Sequence, residues 1–384
     1  MEKKNNYPLC AAMVIILSVL FVYFGHKLCG VENYATGEKE VYYNATVTKI
    51  IDNSDNNNVY NNETGELISR KIYFKAEITS GDSKGAEIEA TQLIDYMYAY
   101  VLDPVTVGDK IIVTSIYDFS TNDYTWKFGG YNRINSLVAL CVLFLALIVL
   151  IGRKKGVVTI ISLGLTAAGI FLVYVPSILS GMNVYAMTVI IGVYTTLMSL
   201  ILLDGMNKKT LSAVVGNIGG LVVAGLIALI MNSVLDITGL SDEDYVSLML
   251  LDTGVEIDLT AVIWGGMVIG ALGAIMDVAM SIASAMQELA DNVNECKFSV
   301  LFKSGMNIGK DAIGTMTNTL ILAYIGGSLV TVLLLVAYNK DLRFLFNLEM
   351  ISIEIVQAIS GSIGIICAVP LTAMFSAFIF SKKQ

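Results

Sequence analysis

Residues Leu259–Met286 read LTAVIWGGMVIGALGAIMDVAMSIASAM, a stretch of 28 apolar or small residues in which the one exception is a carboxylate, Asp277. A helix rises about 1.5 Å per residue, so about 20 such residues cross the hydrocarbon core of a bilayer. A carboxylate at that depth is costly unless it is paired, protonated or hydrated, and it is therefore a candidate functional group. The stretch predicts a transmembrane helix with a functional residue inside it.

The composition of the whole chain is that of a membrane protein. Hydrophobic residues make up 55% and charged residues 15%, whereas about 25% of a soluble domain is charged. The mean hydropathy is +0.69. Eight apolar runs come near or reach the length needed to span a bilayer, at residues 9–29, 134–151, 157–178, 184–203, 211–232, 259–286, 314–337 and 355–380. We therefore predict an α-helical polytopic membrane protein with about eight transmembrane helices.

The positions of lysine and arginine predict the orientation, because short loops rich in these residues stay in the cytoplasm. The loop 233–258 has seven acids and no Lys or Arg, and Lys340 with Arg343 is the one exception to the pattern. Four basic groups fall on one side, namely Lys3-Lys4, Arg153-Lys154-Lys155, Lys208-Lys209 and Lys382-Lys383. We predict a plasma-membrane protein with both termini cytoplasmic and residues 30–132 outside.

The first apolar run allows two interpretations. It has the basic start and modest apolar core of a cleaved signal peptide. No clear Ala-x-Ala cleavage site follows within residues 25–38, which favours an uncleaved anchor. We therefore predict three regions: an anchor at residues 1–29, an extracytoplasmic domain at 30–132 and a seven-helix membrane domain at 133–384.

Residues 40–130 differ in character from the rest of the chain. The segments 40–51, 70–79 and 110–117 are rich in β-branched and aromatic residues and are separated by Asn-, Gly- and Asp-rich turns. They predict a small sheet or partly closed barrel of the OB-like kind. Residues 30–132 contain 16 acids and 8 bases, which argues against nucleic acid as a partner. The domain is either a solvated cap or a module that captures a substrate or partner.

The carboxylate in the quoted stretch belongs to a stripe of small and polar residues. Steps of three and four residues along a helix keep side chains on one face. From Gly266 these steps reach Gly270, Gly273, Asp277, Ser281, Ser284 and Glu288. The stripe is either a tight helix–helix seam, in which Asp277 is capped by a neighbour, or a polar track with one titratable group.

Polar residues of neighbouring spans lie at a similar depth, and polar groups in lipid need partners. Thr195, in the fourth apolar run, is a further polar residue at that depth. The predicted intramembrane polar site consists of Asp277, Ser281, Ser284, Glu288, Asn217, Asp311, Thr315 and Asn318.

The same residues argue against an enzyme. His26 is the one histidine, which excludes His-based triads and multi-His metal sites. An intramembrane aspartyl protease needs two facing carboxylates, and Asp204 at the membrane edge is the one other candidate near Asp277. The 17 methionines are better explained as apolar gap fillers than as metal ligands. We predict no catalytic residue, no metal and no cofactor.

Two long segments carry a resemblance to a known family. Residues 270–288, GALGAIMDVAMSIASAMQE, and 309–327, GKDAIGTMTNTLILAYIGG, closely resemble the hallmark segments of the YibE/F-like family of bacterial multi-pass membrane proteins. The resemblance extends over about residues 40–380. It implies location and architecture and transfers no catalytic or ligand role. The resemblance also implies which residues of this chain occupy the motif positions of the family: Asp277, Ser281, Ser284, Asp311, Thr315, Asn318 and Ser362.

Two functions of different classes follow. The first is a permease or transporter of an unidentified solute or ion that passes along a polar track at Asp277. The alternative is a non-transporting envelope scaffold or sensor that acts through the extracytoplasmic domain. Membrane lipids are the expected surroundings, and a homo-oligomer or a partner membrane protein is compatible with either function. An accessible cavity at Asp277 favours the permease, and a dry, packed Asp277 favours the scaffold.

Overall fold

The computed structural model of the chain describes residues 7–29, 41–52, 58–60, 67–96, 103–118, 123–240, 243–249, 255–292, 297–337 and 341–381. The lysines at positions 3, 4, 340, 382 and 383, which contribute to the predicted orientation, lie outside these residues. Contacts between residues divide the chain into two compact units. One is Met1–Tyr34 with Ile148–Gln384, and the other is Ala35–Leu147.

The unit Ala35–Leu147 is built on a barrel of β-strands. Strand β1 pairs with both β3 and β5, β3 pairs with β4, and β4 pairs in parallel with β6, which returns to β5. These five strands close a ring, and the short β2 adds to the edge of β3. The strands are β1 Tyr42–Asp52, β2 Asn58–Tyr60, β3 Leu67–Ile78, β4 Glu87–Asp95, β5 Lys110–Asp118 and β6 Asp123–Tyr131.

Apolar and polar residues alternate along the strands, and the apolar side chains fill the barrel. In β4 the side chains alternate between exposed and buried, as expected for a strand with one face on a core. Ile72, Phe74, Ile111 and Val113 are completely buried inside. The prediction of a small sheet or partly closed, OB-like barrel is right about the barrel, but the ring of five strands is closed rather than partly closed. Closure depends on the pairing of β1 with two distant strands, which alternation within a strand does not reveal.

Helices make up the rest of the described chain. Asn207 begins α5 by accepting a hydrogen bond from the Thr210 backbone N–H, and α4 ends where Gly205 adopts a φ of 77°. The helices are α1 Tyr7–Leu28, α2 Ile134–Gly169, α3 Val175–Leu179, α4 Val184–Asp204, α5 Lys208–Val234, α6 Glu243–Met249, α7 Leu259–Asn292, α8 Phe298–Gly327, α9 Leu329–Ala337, α10 Leu342–Phe346 and α11 Glu349–Phe380; a π-helical turn, Ile170–Tyr174, joins α2 to α3.

Six helical segments in the described part of the chain are long and apolar enough to cross a membrane, fewer than the eight predicted. They are Tyr7–Leu28, Ile134–Leu179, Val184–Asp204, Lys208–Val234, Leu259–Asn292 and Glu349–Phe380. Two features explain the difference. The second segment has 46 residues and joins two of the predicted runs, and the run 314–337 is divided between α8 and α9 at Ser328.

The long segment Ile134–Leu179 is not a continuous helix. Arg153 has a φ of 49° and a ψ of −125°, which breaks the helix at the predicted Arg153-Lys154-Lys155 loop. A side chain at Gly156 would collide with the backbone of Ile148, so the chain bends sharply there. A straight helix of 46 residues would be over twice as long as the hydrocarbon core is thick, and the break resolves this mismatch.

The centre of the helical unit is formed by α5, α7 and α11, with α4 and α8 on opposite sides of α7. Helices α5 and α11 approach closely because glycines line their contact. A methyl group added to Gly220 would come within 2.8 Å of the Gly364 carbonyl oxygen and 2.9 Å of the Ala368 Cβ. Small residues at such contacts allow membrane helices to pack tightly. This packing fixes which face of α7 is left uncovered.

Candidate functional site

Helix α7 buries one face and exposes the predicted stripe. Ile275, Val278 and Ile282 point into the core, whereas Asp277 and Ser281 are exposed. Because a helix has 3.6 residues per turn, these two sets of residues lie on different faces of α7. Among the described residues, Asp277 has no hydrogen-bond or ion-pair partner. The structure therefore places the carboxylate on the surface of the bundle.

The glycines of the stripe are uncovered as well. A methyl group added to Gly266 or Gly273 would meet no atom within 4 Å, and Gly270 is the member of the stripe that lies against Tyr324. Ser284 is half-buried and Glu288 is exposed. Among the described residues, the stripe is thus covered at Gly270 and open at Gly266, Gly273, Asp277 and Ser281.

Helix α8 presents a matching exposed face. Asp311, Thr315 and Asn318 are all exposed. The Thr315 hydroxyl donates to the Ala312 carbonyl at 3.1 Å, which leaves its oxygen free to accept, and Thr319 donates to the Thr315 carbonyl at 2.9 Å. These hydroxyls bond to their own helix, as is common for Ser and Thr in helices. The polar face of α8 therefore has no partner among the described helices.

Two contacts fix the register of α7 and α8. At one end, Gly270 lies beside Tyr324. At the other, a groove of about 450 Å³ is lined by Glu288, Ser304 and Asn307, together with Ala285, Leu289, Asn292 and Ile308. The helices are antiparallel, and the contacts of Gly305 with Met286 and of Gly309 with Ile282 place Asp277 level with about Gly314. The predicted residues of α7 and α8 therefore line one exposed polar face that runs from this groove to Asp277.

A second cavity borders the other edge of the stripe. It has a volume of about 350 Å³ and lies between the second half of α2, α4 and α7, where Gly273 and Met276 contribute to its wall. Its polar lining is hydroxyl groups, from Thr159, Ser162, Thr166, Thr195 and Ser199. All of these residues except Thr195 are absent from the predicted site. Their spacing, 159-162-166 and 195-199, is the three- and four-residue period that marks one helix face.

Asn217 does not belong to this site. Its side chain is completely buried, and its amide donates to the Thr196 hydroxyl on α4 at 2.8 Å. Helix α5 contacts α7 through Ala279 and Ala283, which lie on the face of α7 opposite Asp277. The predicted cluster with Asp277 is therefore corrected: Asn217 joins α4 to α5. Thr195 lines the hydroxyl cavity, which borders the stripe at Gly273.

The surroundings of Asp277 limit its chemistry. Asp204, the other candidate carboxylate, is paired with Lys209 at 2.7 Å and lies at the end of α4. Within the described ranges, no group of three or more His, Cys, Asp or Glu side chains is close enough to hold a metal ion. What remains is Asp277 among hydroxyl and amide groups, with the carboxylates of Asp311 and Glu288 on the same exposed face. Such a group is suited to exchanging a proton or to contacting a small cation through oxygen atoms.

Comparison with known proteins finds similarity in the membrane part of the chain. A family model described as YibE/F-like protein matches residues 140–382, which include most of α2 and all later helices. The match leaves the resemblance expected for residues 40–139 untested. Among curated proteins and solved structures, none matches the chain.

Proposed function

The chain belongs to the YibE/F-like family, and on that premise we propose that it is a permease of the bacterial plasma membrane. The proposed path follows the polar face of α7 and α8 from the groove at Glu288 to Asp277. The observation that carries this proposal is the exposed, unpaired Asp277 inside an apolar helix. A carboxylate in such a place is rare and is typically found on a substrate or ion pathway.

The lining of the face favours a proton or a small cation as the transported species. Asp277 and Asp311 supply carboxylate oxygens, and Ser281, Thr315 and Asn318 supply hydroxyl and amide oxygens. Oxygen atoms of these kinds are the ligands that hard cations prefer. Lys303 and Lys310 are also exposed on α8, so the preference for a cation rests on these oxygen atoms.

We propose eight membrane crossings with both termini in the cytoplasm and residues 30–132 outside. The break at Arg153 supports two crossings within Ile134–Leu179, and α8 with α9 provides the seventh. Arg153 lies at the break in α2, and Lys208 begins α5 after a short turn, as expected for basic residues at the cytoplasmic ends of membrane helices. If an impermeant thiol reagent labelled a Lys154→Cys protein in intact cells, the orientation would be reversed.

A scaffold or sensor remains the second candidate, and one observation favours it. In a single chain the polar face of α7 and α8 lies on the surface of the bundle rather than inside it. Polar groups at such a place also serve to hold two membrane proteins together. In that case the function would be exerted by the barrel domain, and no solute would cross.

Flux measurement on purified protein in liposomes distinguishes the two candidates. Gradients of protons, sodium, potassium, magnesium and calcium are imposed in either direction, and entry is followed with dyes enclosed in the liposomes. We expect saturable flux of at least one of these cations above the rate of protein-free liposomes. Rates that stay at the protein-free level for every cation, with protein shown to be inserted, would contradict the permease and favour the scaffold.

A further inference from the structure

The cavity between the second half of α2, α4 and α7 has the properties of a small-molecule site. Its volume of about 350 Å³ is at the lower end of the range of ligand pockets, which is about 300–1,000 Å³. Most of its wall is apolar, with side chains such as Leu163, Ile191 and Leu272. Pockets that bind small molecules typically combine such a wall with a few polar groups that orient the ligand.

Thr195 and Ser199 supply polar groups whose hydrogen bonds are incomplete. Thr195 is 5% exposed, and among the described residues its hydroxyl has no hydrogen-bond partner. The neighbouring Thr196 differs, because it donates to the Gly192 carbonyl at 2.7 Å, as is common for Thr in helices. Ser199 accepts a hydrogen bond from Ser162 at 3.1 Å, and its own proton has no acceptor in the described part of the chain. Both hydroxyls line the cavity and are able to bond to a ligand.

Asp277 lies at the edge of this cavity. Gly273, one helical turn before Asp277, forms part of the wall, and a methyl group added there would meet no atom within 4 Å. Residues four apart on a helix are neighbours, and helical side chains lean toward the N-terminus of their helix. The Asp277 carboxylate therefore leans toward Gly273, where no side chain separates it from the cavity. Because none of the described residues that line the cavity is charged, Asp277 supplies the charge at its edge.

We propose that this cavity binds a small amine, whose apolar body lies between α2, α4 and α7 and whose ammonium group contacts Asp277. The apolar wall suits the body of such a ligand, and an ammonium group forms strong, charge-assisted hydrogen bonds with a carboxylate. The hydroxyl oxygens of Thr195 and Ser199 accept further hydrogen bonds from the ammonium group. The inference rests on the proposed function, since it assigns an organic cation to the same carboxylate, but it is tested by binding and not by flux.

Two probes of nearly the same shape test the proposal. Phenethylamine carries an ammonium group at neutral pH, and phenethyl alcohol has an uncharged hydroxyl in its place. Each is titrated calorimetrically into the purified protein in lipid nanodiscs, and the heat from empty nanodiscs is subtracted. We expect saturable binding of phenethylamine and about tenfold weaker binding of the alcohol, because hydrogen bonds between charged groups are the stronger ones. Equal affinities, or no saturable binding of phenethylamine to folded protein, would overturn the proposal.

Three variants test where the amine binds. Asp277→Asn should weaken phenethylamine binding about tenfold and leave phenethyl alcohol unaffected, because it removes the charge alone. Gly273→Leu fills the opening beside Asp277 and should abolish the binding of both probes. Gly266→Leu is the matched control, because Gly266 has the same open space, is not among the residues that line the cavity, and should bind both probes as the wild type does.

Unchanged phenethylamine binding in folded Gly273→Leu or Asp277→Asn protein would overturn the proposal, and folding is checked by size-exclusion chromatography. If a variant fails to fold, the comparison of the two probes on the wild type still decides. Binding is measured without a gradient, so its outcome is independent of transport. Amine binding without cation flux would contradict the permease and support this site, whereas flux without amine binding would do the reverse.

Discussion

We expect the Asp277→Asn protein to accumulate and insert normally but to lose cation or proton flux to the level of protein-free liposomes. Asparagine has nearly the same shape as aspartate and forms similar hydrogen bonds, but it cannot ionise. Because Asp277 is exposed and unpaired among the described residues, the substitution breaks no contact within the chain. If the carboxylate exchanges a proton or contacts a cation during transport, its loss removes that step.

The control for this result is Asp291→Asn, which makes the same chemical change at an exposed position near the end of the same helix. Asp291 is not among the residues that line the groove at Glu288, and its substitution should leave flux unchanged. Flux and amount of inserted protein are measured on the same preparations. An Asp277→Asn protein with wild-type flux would mean that Asp277 serves as a hydrogen-bonding group at an interface and not as the transport site.

The second large effect is expected on folding. Leucine at Gly220 would place a side chain where the Gly364 carbonyl oxygen and the Ala368 Cβ now lie 2.8 and 2.9 Å from a Cβ. A backbone oxygen cannot move aside as a flexible side chain can, so α5 and α11 would have to separate. Overpacking in soluble cores costs about 1–3 kcal/mol, occasionally more. Separation of two central helices should exceed that cost, and we expect little folded Gly220→Leu protein.

Fluorescence-detected size-exclusion chromatography after heating measures this effect. Gly220→Ala should lower the temperature at which the folded peak is lost, and Gly220→Leu should remove the peak at all temperatures. Gly164→Leu is the matched control, because Gly164 is also in a membrane helix and has no atom within 4 Å of an added Cβ. A Gly220→Leu protein as heat-resistant as Gly164→Leu would show that the close approach of α5 and α11 is wrong.

The polar face of α7 could be predicted from the sequence because a helix has a fixed period. Gly266, Gly273, Asp277 and Ser281 lie on one face whatever surrounds the helix. Depth in the membrane could also be counted along each run. The rotation of one helix relative to another could not be predicted from the sequence. For this reason Asn217 was wrongly grouped with Asp277. Both are in the same part of the bilayer, but α5 presents Asn217 to Thr196.

The barrel and the hydroxyl cavity depend on contacts between distant parts of the chain. The segments that became β1, β3 and β5 were recognisable by their β-branched residues. The parallel pairing of β4 with β6, which helps to close the ring, leaves no periodic signal in the sequence. Likewise, the hydroxyls at Ser162 and Ser199 are hydrogen-bonded at 3.1 Å, but each lies in a different helix, and only the packed bundle brings them together.

The most direct test of the account is whether water reaches the α7 stripe beside Asp277. Thiols react as thiolates and therefore need a hydrated environment, so the rate at which Ser281→Cys reacts with an impermeant methanethiosulfonate reports on water. In inside-out vesicles we expect Ser281→Cys to react rapidly and the modification to block flux, whereas Val222→Cys stays unreactive. In intact cells neither should react. If Ser281→Cys were as unreactive as Val222→Cys from both sides, the face would be dry and the proposed path along α7 and α8 would be contradicted.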